Sequence, residues 1–239
     1  ETDLAYEIPS PYSASDLSSI KVTQSADVLY LAHRGYNIRK LSRTAHTSWT
    51  LTNFVAKIDV AMTITGATRA STCVVSATLG SGGTAPTAGE IVYINSVVGM
   101  TELNDKFFTV GTVTASPLAF ELSGINSSAY TAYTSGGTAQ RVQFGTDGNN
   151  PGAIGFFEQR FMAGGTTNNP LDLYGSVSSS FEDFTQDPAD DSAALQYSLL
   201  SDKVYAINWL LGEEYLMIGT AGGVWRLGAS STSDPLTAS

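Results

Sequence analysis

The sequence predicts an all-β protein in which a propeller-like platform of β-meanders carries an inserted small β-barrel. Hydrophobic residues make up 42% of the 239 residues and charged residues only 14%, which leaves many Ser, Thr and Gly for turns and polar strand faces. Short apolar runs recur between turn-forming residues. Helix-favouring sequence is limited to residues 13–20, where Ser13 is placed as a cap, and residues 189–197.

Three groups of predicted strands have the pattern of β-meanders. One group lies near the start of the chain and two follow Pro151: 27–33, 38–43 and 48–52, then 154–159, 160–164 and 171–176, then 204–210, 215–219 and 223–227. The first and last groups end on a strand that contains a tryptophan, Trp49 or Trp225, which favours repeated propeller blades. We therefore predict a discontinuous platform from residues 1–63 and 142–239. At about 40 to 45 residues a blade this is roughly three to four blades, so we expect the platform to be incomplete in this chain.

The middle of the chain is predicted to be the inserted small β-barrel. Residues 64–141 are rich in Thr and Gly and contain four predicted strands between loops at 80–89 and 134–138; the strands are 71–77, 90–96, 106–114 and 119–122. Cys73 is the one cysteine of the sequence, so no internal disulfide can form, and its apolar strand predicts a buried core residue. The chain opens on Glu1 without an initiator Met, and we expect it to be a piece of a longer protein.

The charge of the chain is acidic and unevenly distributed. The net charge is −10; residues 1–63 carry six acids and six bases, whereas residues 141–239 carry twelve acids and four bases. An acidic final third argues against tight wrapping around nucleic acid, because phosphates would be repelled. No apolar run reaches the roughly 18 to 20 residues of a membrane helix, so we expect no membrane anchoring.

The middle segment resembles a known small barrel. The motifs are GEIVYI at 89–94, VGMTELN at 98–104, FFTV at 107–110 and FELSG at 120–124. They resemble the first catalytic cysteine half-domain of ubiquitin-activating enzymes, a module also found inserted in phage structural proteins. In those enzymes this half-domain does not supply the thioester cysteine, so the resemblance implies no catalysis by this chain.

The flanking segments resemble the tail nozzle, or tail tubular, proteins of short-tailed bacteriophages. The matching motifs run in order through both flanks: QSADVLY at 24–30, RKLSRT at 39–44, HTSW at 46–49, FFEQR at 156–160, NNP at 168–170, YGS at 174–176, FEDF at 181–184, DD at 190–191, AINWL at 206–210 and IGTAGG at 218–223. The resemblance implies a virion structural protein at the distal end of the tail, in a ring through which genome DNA leaves.

Partners and location also follow from this resemblance. It implies a ring of copies of the same chain that contacts a tail adaptor and a tail fibre or other tail proteins, with DNA passing through without specific binding. It implies assembly in the bacterial host cytoplasm and a final place in the virion. We expect no cofactor and no enzymatic activity.

Three groups of side chains are candidate sites, and none is predicted to be catalytic, cofactor-binding or metal-ligating. His33 and His46 lack a surrounding nucleophile motif and are predicted to be structural or solvated. Residues 147–150 (DGNN) are predicted to form a turn. An acidic cluster could hold calcium or supply a glycosidase pair, but a solvated loop whose aspartates cap a short helix near Ala189 explains it better; its members are Glu182, Asp183, Asp187, Asp190 and Asp191.

Four bases near the start of the chain leave two roles open. Arg34, Arg39, Lys40 and Arg43 could contact DNA phosphates or form salt bridges between subunits. Arg39 and Arg43 share one strand face and Lys40 lies on the other, so the four do not form one stripe.

An alternative function is a carbohydrate- or receptor-binding β module whose loops and aromatic side chains bind groups on a cell surface. A glycan-cleaving tail enzyme is a third option, for which no paired-carboxylate geometry can be argued.

Overall fold

A computed structural model describes residues 6–200, 203–228 and 236–237. Seventeen strands and two short 3-10 turns (Leu17–Ser19 and Thr101–Leu103) form the regular secondary structure of these residues, which confirms the all-β prediction. The chain divides into two compact units. One comprises Glu1–Phe54, Asp147–Glu182 and Gln186–Ser239, and the other Val55–Thr146 and Asp183–Thr185. The predicted platform range 142–239 includes stretches outside the described residues.

The first sheet is a four-stranded antiparallel meander in chain order, composed of β1 (Lys21–Ser25), β2 (Val28–His33), β3 (Tyr36–Ala45) and β4 (Ser48–Asn53). Alternate residues of each strand face opposite sides of the sheet. Tyr30, Ala32 and Ile38 lie on the buried side, and Phe54 continues that side just beyond β4. The three strands predicted here are confirmed, and β1 is an additional strand that pairs with β2.

The second sheet is also a four-stranded meander, composed of β11 (Ala153–Phe157), β12 (Arg160–Gly164), β13 (Asp172–Gly175) and β14 (Leu195–Ser198). Every residue of β12 is buried, because both faces of this sheet are covered. The predicted helix at 189–197 is wrong. Turns lead instead into β14, because hydrogen bonding of this strand to β13 outweighs the helix propensity of its Ala, Leu and Gln residues.

The third sheet has three strands, β15 (Ile207–Gly212), β16 (Leu216–Thr220) and β17 (Gly223–Leu227), and these confirm the last predicted meander. Ile207, Leu216 and Ile218 are fully buried in a core shared with the second sheet. Strand β11 contacts both β1 and β15, so the three sheets of this unit follow one another with the second sheet in the middle. The expected β-meanders are therefore present in this unit.

The other unit contains a closed six-stranded barrel of strand order β10-β5-β6-β9-β8-β7. The predicted small β-barrel is confirmed, and two of its strands, β5 and β10, are additional to the four that the sequence predicts. Its strands are β5 (Met62–Ala67), β6 (Cys73–Thr78), β7 (Ile91–Val98), β8 (Lys106–Ala115), β9 (Leu118–Leu122) and β10 (Ser135–Val142). The prediction of a loop at 134–138 is wrong, because β10 closes the barrel there with Gly136 and Gly137 at positive φ. Cys73 is fully buried in the barrel core, as expected, and burial raises the pKa of its thiol.

Residues 13–20 contain only a three-residue 3-10 turn, Leu17–Ser19, in place of the predicted helical turn. The sequence predicts that Ser13 accepts hydrogen bonds as the cap, but it is the donor, and Asp16 is the acceptor. The Asp16 carboxylate accepts hydrogen bonds from the Ser13 hydroxyl (2.6 Å) and amide (2.8 Å) and from the Tyr36 hydroxyl (2.7 Å). These bonds, with that from the Ser13 hydroxyl the strongest, lower the pKa of Asp16 to about 2.

Candidate functional site

Both histidines have structural surroundings. His33 ends β2, where its Nδ1 accepts a hydrogen bond from the Gly35 amide (3.0 Å) and its Nε2 lies 3.9 Å from an Asp16 oxygen. His46 lies in the exposed turn between β3 and β4, and its carbonyl accepts a hydrogen bond from the Trp49 indole (3.0 Å). Among the described residues, neither ring is hydrogen-bonded to a serine or cysteine. The two histidines therefore have no geometry for nucleophilic catalysis in this part of the chain.

The five acids of the predicted cluster do not converge on one point. Asp183, Asp187 and Asp190 each accept a hydrogen bond from the amide two residues later. Glu182 forms an ion pair with Lys40, and Asp183 forms one with Lys57 (2.9 Å). Within the described ranges, no group of three His, Cys, Asp or Glu side chains is placed to hold a metal ion. The aspartates cap turns instead of the expected short helix near Ala189, which is absent from this described stretch.

A buried arginine that the sequence analysis did not single out fixes part of this acidic loop. Arg160 is only 3% exposed. Its Nη1 donates to the carbonyls of Ser176 (2.7 Å), Ser192 (3.0 Å) and Ala193 (2.6 Å), and its Nη2 donates to the Asp191 carbonyl (2.8 Å). Burial lowers the pKa of this guanidinium. The available sequence signal is an arginine at the start of an otherwise apolar strand, RFMAG.

Two of the four bases near the start of the chain have partners within the chain. Arg34 donates from Nε to the Gly165 carbonyl (2.9 Å) and from Nη2 to the Ile207 carbonyl (2.9 Å). Lys40 is paired with Glu182. Arg34 and Lys40 are therefore engaged within the chain, and the two roles considered for the four bases, contact with DNA phosphates or with acids of a neighbouring subunit, stay predictions.

A polar cleft of about 370 Å³ lies where strands of all three sheets begin. The start of β1, the β2–β3 turn, the residue before β11 and the start of β15 contribute its lining: Ser18, Ser19, Lys21, His33, Arg34, Gly152 and Asn208. Gly152 leaves room for Arg34, since a Cβ there would lie 2.4 Å from the Arg34 Nε. Arg34 is bonded to neutral oxygens only, and Lys21 forms no ion pair in the part of the chain that the structure describes. The cleft therefore has the chemistry to attract an anionic group, although the chain as a whole is acidic.

The third sheet has an apolar face that no other sheet covers in the part of the chain that the structure describes. Strand register places Trp209, Leu211, Met217 and Val224 on this face, which we call the outer face of the third sheet. Trp209 is 41%, Leu211 51% and Val224 58% exposed. Leu216 and Ile218, on the opposite face, are fully buried. Contiguous apolar surface of this kind is typical of interaction sites.

Comparison with known proteins adds no family to this description. No protein-family model and no curated protein matches the chain. Among solved structures, the chain is similar to the endosialidase of phage phi92, with 12% sequence identity and a TM-score of 0.26. The match covers 88% of this chain and 36% of that one, so this chain spans about a third of the length of that protein. A likeness at this level decides neither fold nor function.

Two surfaces remain after the histidines and the acidic cluster. No helix in the described residues is long and apolar enough to cross a membrane. One surface is the cationic cleft around Lys21 and Arg34, and the other is the apolar outer face of the third sheet.

Proposed function

We propose that this chain is a virion structural protein of a short-tailed phage, a subunit of the distal tail (nozzle or tube) in the ring through which DNA leaves. One observation carries the proposal, the uncovered outer face of the third sheet. Exposing Trp209, Leu211 and Val224 to water is unfavourable, and covering apolar area contributes about 25 cal/mol per Å². A chain that keeps such a face is suited to assembly with other subunits.

The sequence motifs that resemble the nozzle proteins support this assignment by their position. QSADVLY (24–30) spans the β1–β2 hairpin, FFEQR (156–160) the β11–β12 hairpin and IGTAGG (218–223) the β16–β17 hairpin. All three belong to the three-sheet unit. The resemblance therefore concerns the turns and strands of the unit that would form the platform, while the barrel motifs belong to the other unit.

A non-enzymatic role is part of the proposal. Asp187 and Asp190 are hydrogen-bonded to amides of their own turns, and Glu182 is paired with Lys40. Such carboxylates are engaged in structure, whereas a glycosidase needs two that face one another about 5 to 10 Å apart across a substrate. The expected partners are copies of the chain itself, a tail adaptor and a fibre or other tail protein, located in the virion.

Mass photometry and negative-stain electron microscopy of the purified chain test the proposal. We expect the population to shift from monomers to closed rings as the protein concentration rises, because assembly is driven by mass action. A chain that stays monomeric over about a thousandfold range of concentration, with no rings on grids, would contradict it.

The cleft supports a second candidate, a module that binds an acidic carbohydrate on a cell surface. Lys21 and Arg34 supply positive charge, and Ser18, Ser19 and Asn208 supply groups that hydrogen-bond to sugar hydroxyls. A glycan array that contains acidic and neutral sugars separates the two candidates. The structural proposal predicts no specific sugar. Selective binding of acidic glycans that is lost in Lys21→Glu would favour the second candidate.

A further inference from the structure

The second sheet shows how this chain covers an apolar sheet face. On one side, Phe161 contacts Tyr30 and Phe54 of the first sheet, with ring centroids 5.2 and 4.7 Å apart. On the other side, Phe157 and Met162 share a buried cluster with residues of the third sheet. An apolar face in this unit is therefore covered by the face of another sheet, as is usual for stacked sheets about 10 Å apart.

The third sheet is apolar on both faces like the second, but within the described residues another sheet covers only one of them. Its outer face, defined above, presents an exposed row of Trp209, Leu211 and Val224. The outer edge of β17 adds to this surface, because β17 pairs only with β16 among the described strands. Because both faces of the second sheet are covered by neighbouring sheets, we expect a fourth sheet to cover this surface in the same way.

The first sheet carries a surface that fits such a contact. Its side opposite Tyr30 contains Leu29, Leu41 and Leu51 directly across from one another on β2, β3 and β4, and we call it the outer face of the first sheet. Each of these leucines is half-buried, and Val22 on β1 is 52% exposed. Within the described residues, no other sheet packs on this face.

The charges of the two outer faces are complementary. Glu213 and Glu214 lie exposed in the β15–β16 turn and form no ion pair within the described residues. The outer face of the first sheet carries Arg43, which is exposed and lies opposite Trp49 on β4. Opposite charges that meet across an interface favour the correct partner and orientation.

Strand direction brings these charges to the same level. Strands β1 and β15 both begin at the cleft, and β15 ends next to Glu213. The Arg43 amide donates to the Asp27 carbonyl (3.1 Å) beside the β1–β2 turn, so Arg43 lies at the end where β1 finishes. A first sheet placed beside the third sheet in the orientation used within the chain would set Arg43 level with Glu213.

Each surface also carries one charge of the other sign at this end. Arg226 lies on the outer face of the third sheet, 4.2 Å from the ring centroid of its own Tyr215, and Asp27 lies in the β1–β2 turn of the first sheet. The third-sheet side of this end therefore has two acids and one base, and the first-sheet side has one base and one acid. Arg43 is the base that would face Glu213 in this orientation.

We propose that the outer face of the third sheet docks onto the outer face of the first sheet of a second copy of this chain. The inference rests on the proposed function and deepens it by naming both contact surfaces. Because the two surfaces differ, the contact is head-to-tail and repeats from copy to copy, which generates a ring where the rotation closes.

Two variants block one surface each. Leu211→Glu with Val224→Glu alters the third sheet, and Val22→Glu with Arg43→Glu alters the first. All four positions are exposed, so the fold should be retained, and unchanged circular dichroism and melting temperature would verify this. Val98→Glu in the barrel, at a residue 53% exposed, is the matched control.

Mass photometry of each variant and of an equimolar mixture tests the inference. Each variant alone should require at least about tenfold more protein to assemble than the wild type, whereas Val98→Glu should assemble normally. The mixture should form heterodimers that grow no further, because a single intact contact remains between the two variants.

Other results would overturn the inference in recognisable ways. If the first-sheet variant assembles like the wild type, the third sheet binds another surface, and the inference fails while the proposed function stands. If the wild type forms neither dimers nor rings at any concentration, both fail. Reversing both sides of the contact in one chain (Glu213→Lys with Arg43→Glu) should restore the assembly that either reversal alone weakens, and absence of this rescue would contradict the charge pairing.

Discussion

The indole of Trp209 lies directly over Gly219, its partner on the neighbouring strand β16. A Cβ built on Gly219 would lie 1.8 Å from the Trp209 Cε2, so the ring occupies the space that any other residue at 219 would need. Glycine at this position is therefore what allows Trp209 to lie flat on the outer face of the third sheet.

Replacing Gly219 by alanine should displace the Trp209 ring and destabilise the three-sheet unit by about 1–3 kcal/mol, because the added methyl has no free space. Urea unfolding and tryptophan fluorescence would measure the two effects. Gly66→Ala is the control, since a Cβ there makes only ordinary contacts at 3.7 Å. Equal stability of Gly219→Ala and wild type would contradict the packing described.

Arg160 is expected to be a strong contributor to stability. Arg160→Met removes the hydrogen bonds to four backbone carbonyls and should cost about 3 kcal/mol, because buried acceptors are left without partners. Arg160→Lys should not rescue this loss, since an ammonium cannot reproduce the planar fork. Hydrogen exchange should show faster exchange in residues 176–193. Arg226→Met, at an exposed position, is the control and should change stability little.

The barrel should lose stability in acid because of the ion pairs of Arg141. Its guanidinium contacts Asp59 (2.8 Å) and Glu90 (2.6 Å). Burial alone would raise the pKa of both carboxyls, but hydrogen bonds from Thr84 to Asp59 and from Arg141 to Glu90 outweigh it and lower both pKa values. A lowered folded-state pKa gives stability that is present above the unfolded-state pKa and is lost as pH falls through the folded-state value.

We therefore expect the melting temperature of the barrel to fall between about pH 5 and pH 3, and Arg141→Met to reduce this dependence. Differential scanning calorimetry across that range would measure it. Arg69→Met, at an exposed barrel residue, should leave the dependence intact. An unchanged pH profile in Arg141→Met would show that these ion pairs do not set the acid response.

The barrel is proposed to be an independent insertion. Thr63 on β5 lies opposite Thr138 on β10, so the chain enters and leaves the barrel on neighbouring strands. Deleting residues 66–138 and joining the ends with a short Gly/Ser linker should leave a folded three-sheet unit, since closing a short loop costs little. Cooperative unfolding of the deletion product would support this, whereas a wholly unfolded product would contradict it.

Duplex DNA should bind weakly and without sequence preference. Residues 141–239 carry a net charge of −8, twelve acids against four bases, and DNA that slides through a ring should meet few fixed cations. Fluorescence anisotropy should show affinity that falls as salt rises, because it comes from counterion release, and Lys21→Glu should weaken it further. Salt-resistant binding below about 1 µM would oppose the sliding-channel role and favour a DNA-binding one.

The sequence by itself determined the β-class and most of the strands of this protein. Alternation of apolar and polar residues depends only on near neighbours, so β2, β3 and the strands of the last meander could be predicted. Short-range turn signals such as Asn168-Asn169-Pro170 separated them. The same local signals misassigned residues 189–197 and 134–138, because strands β14 and β10 exist only through pairing with β13 and with β5 and β7.

Only the tertiary structure decided which side chains meet. The cleft joins Lys21, Arg34 and Asn208, which are far apart in the chain, and Arg160 binds carbonyls 16 to 33 residues away. The outer face of the third sheet is likewise a tertiary property, since Trp209 and Ile218 are both apolar and only sheet stacking determines which one is buried. Local sequence specifies a strand and its two faces, whereas covering a face depends on contacts between segments distant in the chain, and a single sequence carries no local signal of these.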